Sequence, residues 1–86
     1  AWDIDRRKVG RDVAEAIFVR PNCTARFCET VEPTGAKVRM GRKLDGIAPH
    51  MHDYPEDRTF LPSDAPEPDH DAVVAALRDT GADVMM

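Results

Sequence analysis

Val9, Val13, Ala16 and Ile17 recur at spacings of four, three and one, which places them on one helical stripe with Arg20 at its solvent edge. Asp3 or Asp5 is expected to cap the start of this N-terminal helix. Gly10 costs up to about 1 kcal/mol relative to alanine inside a helix, which moves the expected start towards Arg11. Pro21 ends it, because the residue before a proline is pushed out of the helical region. The pattern then changes period. From Thr24 to Glu32, Ala25, Phe27 and Val31 share one face, and Arg26, Cys28, Thr30 and Glu32 the other; Glu29 interrupts the apolar side. Glu32-Pro33-Thr34-Gly35 has turn chemistry, and Ala36, Val38 and Met40 alternate with Lys37 and Arg39. Together these segments predict a β-hairpin.

Past Gly46 neither period survives. Five of the seven prolines fall between Pro49 and Pro68, and each lacks the amide that a helix interior or central strand needs. Ile47, Met51, Tyr54, Phe60 and Leu61 are scattered through this stretch, as in an extended arm pressed onto a surface. The pattern turns helical again at the end. Asp69 and Asp71 suit a helix start, Ala72 to Arg78 is a strong helix former with Val73, Val74 and Leu77 on one face, and Gly81 supplies the stop. Asp83 to Met86 reads as one short terminal strand. The expected fold class is α+β: N-terminal helix, β-hairpin, long proline-rich irregular arm and C-terminal helix. One small domain divides into a helix-and-hairpin body at 1–46, the arm at 47–68, and a C-terminal helix and tail at 69–86.

Charge splits the chain in two. Residues 1–43 carry a net +4 and residues 44–86 a net −8. Two charged halves can neutralise each other within one fold or meet charged partners. The chain has 86 residues and only five aromatic ones, so its core is expected to be small and aliphatic. No apolar run is long enough for a membrane span, and no secretory leader pattern is seen. The expected setting is therefore the cytoplasm, or a particle assembled inside the cell.

Candidate chemistry is sparse. Cys23 and Cys28 form a C-x4-C pair, and His50 and His52 an H-x-H pair; a Cys2His2 set would suit zinc. Against this, Cys28 points away from Cys23 on an extended strand, and no glycine knuckle follows either cysteine. A disulfide between them is disfavoured, since extended backbone would hold their Cα atoms ~16 Å apart. No serine or cysteine lies in a nucleophile motif, and Ser63 is the chain's single serine. The acids of the second half form no calcium loop. Basic residues cluster at Arg6, Arg7, Lys8 and Arg11, and again at Arg39, Arg42 and Lys43; the overall acidity and the lack of a recognition motif disfavour nucleic acid.

The run from Val9 to Ile17 resembles the first helix of the small effector proteins of multicomponent diiron monooxygenases. Ala36 to Met40 falls near where those proteins place a strand. The likeness covers about a sixth of the chain, and the proline-rich half departs from it. What it implies is a small, catalytically silent subunit, and it is not an assignment.

The leading expectation is a non-catalytic structural or regulatory subunit that binds other protein chains, including copies of itself. Met51, Tyr54, Phe60 and Leu61 would anchor the arm on a neighbour, with Arg6, Arg7, Arg39 and Arg42 as the basic contacts. An intrachain role, with the arm covering the hairpin, competes with this for the same four side chains. A zinc module on Cys23, Cys28, His50 and His52 and a nucleic-acid accessory protein are the alternatives; no cofactor is otherwise expected.

Overall fold

The computed structural model describes residues 1–85. It is a mixed α+β structure in which little of the chain is regular. Strand β1 spans Trp2–Asp3, helix α1 Val13–Ala16, strand β2 Arg39–Met40 and helix α2 His70–Thr80. Two 3-10 turns, Pro49–Asp53 and Glu56–Arg58, punctuate the proline-rich stretch.

The N-terminal helix is one turn long. Asp12 caps it, not Asp3 or Asp5, by accepting a hydrogen bond from the Ala14 amide at 2.8 Å. Gly10 explains the short length. Its φ of +87° breaks the backbone just before the cap, and residues 5–11 wind through turns closed by Val9 N to Asp5 O (3.0 Å) and Arg11 N to Lys8 O (3.1 Å). Ala14 and Ala16 are buried, whereas Ile17 is 46% exposed.

The expected hairpin does not form. Residues 21–36 contain no strand, and Phe27 is 94% exposed. The return segment finds a different partner. β2 pairs in parallel with β1, Trp2 opposite Arg39 and Asp3 opposite Met40. Next to it, Asp12 and Lys37 form an antiparallel bridge through Val13 N to Ala36 O and Val38 N to Arg11 O, both 2.8 Å. Ala36 to Met40 thus lies between two stretches of the N-terminal segment. The physical reason is burial: pairing with Thr24 to Glu32 would place Glu29 on the apolar face, whereas the observed pairing buries Val38 and Met40.

Helix α2 follows the sequence closely. The Asp69 carboxylate accepts from the Ala72 amide at 2.7 Å, and Gly81 at φ +63° supplies the left-handed stop, its amide bonded to Arg78 O at 3.1 Å. Ala76 is the buried residue of this helix. The strand expected over Asp83 to Met86 is absent at residues 83–85, and Met86 lies outside the described residues. Among the described residues the buried apolar side chains are Ala14, Ala16, Val38, Met40 and Ala76. Among the described residues, no helix is long and apolar enough to cross a membrane.

Candidate functional site: the Asp5 lock and the open edge of the sheet

A buried carboxylate holds the proline-rich arm. Asp5 is wholly buried, an expensive place for a charge unless every oxygen is satisfied. Asp5 Oδ1 accepts from the Arg7 backbone amide and from Arg7 Nε, both at 2.8 Å. Oδ2 accepts from Arg7 Nη2 at 2.7 Å and from the Leu61 amide at 2.9 Å. Burial pushes the Asp5 carboxyl up. The Arg7 side chain, the Leu61 and Arg7 amides and the Arg7 charge together outweigh it and hold the carboxyl below its ordinary range.

Arg7 spends its remaining donors on the arm itself. Nη1 reaches the Glu56 carbonyl at 2.6 Å and Nη2 the Thr59 carbonyl at 2.8 Å. Backbone bonds flank the pair: Arg6 N to Leu61 O and Ser63 N to Ile4 O, both 2.8 Å, around an antiparallel bridge between Asp5 and Pro62. Pro62 suits that position because it needs to donate nothing there. Arg20 adds an exposed ion pair to Asp57 at 2.7 Å. The part of the arm from Glu56 to Ser63 is thus seated on its own N-terminal segment.

Asp12 makes a second lock. Besides the Ala14 amide, its carboxylate accepts from Thr34 N (3.1 Å), Thr34 Oγ1 (2.9 Å) and Gly35 N (2.8 Å). Bonds from the Ala14 and Thr34 amides lead in pushing its pKa down to about 2. Sequence reasoning passed over Asp12, although an acid directly before Val13 with Glu15 three residues on is a helix-start signal. The burial of Asp5 left no comparable signal, because the long-range partner of its carboxylate, the Leu61 amide, lies 56 residues on.

The residues singled out in the sequence are scattered. Arg7 is consumed by the lock, while Arg6, Arg39 and Arg42 are exposed. Phe60, Leu61 and Met51 are half-buried; Tyr54 is 50% exposed, with His50 edge-on at 5.8 Å between ring centroids. Cys23 and Cys28 are exposed free thiols, and Cys28 Sγ lies 2.9 Å from the Thr30 carbonyl. Among the described residues no group of three or more His, Cys, Asp or Glu side chains is placed to hold a metal ion. Arg26 lies over the Phe18 ring at 4.2 Å, below the exposed loop that carries Phe27.

An open groove of about 790 Å³ lies beside β1. Trp2, Ile4, Leu44, Val73, Val84 and Met85 supply its apolar wall. Leu44, Val84 and Met85 are 78%, 80% and 60% exposed.

No protein-family model matches the chain. All 86 residues are 37% identical to part of a protein named inositol-3-phosphate synthase from Corynebacterium glutamicum, covering 21% of that protein. They are 38% identical to part of the protein of the same name from Mycobacterium tuberculosis H37Rv, again 21% of its length. An uncharacterised Mycobacterium leprae protein is 42% identical over 53 residues. The chain spans about a fifth of the length of the synthases it matches.

Proposed function

We propose that this chain serves as a non-catalytic packing segment of an inositol-3-phosphate synthase, docking against the rest of such an enzyme's polypeptide. The observation that carries the reading is the end-to-end similarity, 37–38% over all 86 residues, to a fifth of proteins of that name. The local chemistry supports a structural role. The two carboxylates with depressed pKa values, Asp5 and Asp12, accept four hydrogen bonds each from the chain itself, so neither is free to exchange a proton with a substrate. The exposed apolar side chains beside β1 support docking against protein.

A segment exchange tests this. The 86-residue stretch of the C. glutamicum synthase that this chain matches is replaced by the chain, and inositol 3-phosphate formation is measured. The chimera is expected to keep its rate within about tenfold of the parent, about 1.4 kcal/mol in barrier. A chimera with the parent's circular dichroism and thermal midpoint but no product would contradict the proposal.

A further inference from the structure

Strand β1 has one satisfied edge and one open edge. Arg39 N bonds to Ala1 O and Gly41 N to Asp3 O, both at 2.9 Å, so the odd positions of β1 face β2. Backbone polar groups alternate along a strand, which turns those of Trp2 and Ile4 to the opposite edge. There the Ile4 carbonyl takes the Ser63 amide at 2.8 Å. The Trp2 amide and carbonyl and the Ile4 amide have no backbone partner among the described residues. Trp2 and Ile4 both line the groove, and Val84 and Met85 lie on its wall.

Residues 83–85 are open in the same way. They have a strand-like sequence, yet no ladder bond joins them to any other described residue. They follow α2, and a chain that leaves a strand and crosses through a helix returns in the direction of that strand. Two half-satisfied extended segments thus border one apolar groove. A strand that pairs with either segment would lie ~4.8 Å from it. The wall of the groove is mainly apolar, and Oδ1 of its Asp3 carboxylate already accepts from the Asp5 amide at 2.9 Å.

We infer that an apolar β-strand, running parallel to β1 and supplied by the rest of a synthase polypeptide, occupies the groove between β1 and residues 83–85. The relatives provide the chain for it, since about four-fifths of their length lies outside the matched stretch. The inference rests on the reading of this chain as part of such a synthase. It also gives a physical reason why residues 83–85 form no strand: no ladder partner for them is found among the described residues.

Amide exchange in the synthase chimera and in the 86-residue chain alone tests it. The Trp2, Ile4 and Val84 amides are expected to exchange about tenfold or more slowly in the chimera than in the chain alone. Equal rates in a chimera that makes inositol 3-phosphate would overturn the strand while leaving the synthase reading intact. Slowed amides in an inactive chimera would uphold the docked strand and count against the synthase reading. Should the chimera not fold, the chain alone still decides. Slow exchange of Trp2 and Val84 there would mean the edge is already filled, which overturns the inference. Fast exchange there, beside a protected Leu61 amide, supports an open edge.

Discussion

Replacing Asp5 with alanine is expected to lower the free energy of unfolding by about 2–4 kcal/mol in urea titrations. The change leaves the Leu61 amide and Arg7 Nε without their acceptor and removes one of the two acceptors of Arg7 Nη2. Arg7 is 23% exposed and can recover some hydration, which keeps the loss below that of a fully buried broken pair. A chain of this size is stable by about 4–13 kcal/mol, so the substitution removes a large share. The effect has a pH signature. The folded-state pKa of Asp5 lies below its unfolded value, so its stabilisation is fully present above the ordinary carboxylate range near 3.8 and is lost as pH falls through the lower folded value. The native chain therefore loses more stability than Asp5→Ala on acidification from pH 5 to 2. Asp12 adds an acid-sensitive contribution that both proteins share, present above 3.8 and lost as pH falls towards about 2.

The second large effect is expected at Met40. Met40→Ala removes one of the two large side chains among the five buried apolar residues, the other being Val38. A loss of about 2–5 kcal/mol follows from the lost transfer energy and the cavity left behind. The midpoint of urea unfolding should fall while the slope stays constant. Leu44→Ala, at a residue 78% exposed in the chain alone, is the control, expected to change stability little.

Local signals in the sequence carried α2 well. The Asp69 cap, the alanine-rich body and Gly81 all act within a few residues of one another, and the helix runs His70–Thr80. The aliphatic character of the core was legible from composition, and four of its five members are Ala or Val. The first half misled for a physical reason. Alternation at 24–40 identifies residues able to form strands but not their partners, and the N-terminal segment, some forty residues away, pairs with Arg39–Met40 instead. Inside a helix Gly10 would be only a weak point, whereas its positive φ places a break there. For the arm the sequence leaves two readings, seated on a neighbour or folded over its own chain. Its Glu56 to Ser63 portion is ordered by Asp5 and Arg7, because one fully bonded buried carboxylate can do what a few scattered apolar side chains cannot. Tyr54, Phe27 and the side chains of the groove beside β1 are among those that still face outward.

The most direct test of the anchored arm is hydrogen exchange on the 86-residue chain alone. The amides of Arg6, Leu61 and Ser63, which join the arm to the N-terminal segment, should exchange well below the rate of the Phe27 amide in the exposed loop. In Asp5→Ala all three should speed up together, the change at Leu61 being largest. Leu61 and Ser63 amides that exchange as fast as that of Phe27 in the native chain would contradict the account, because the arm would then not be seated on Asp5.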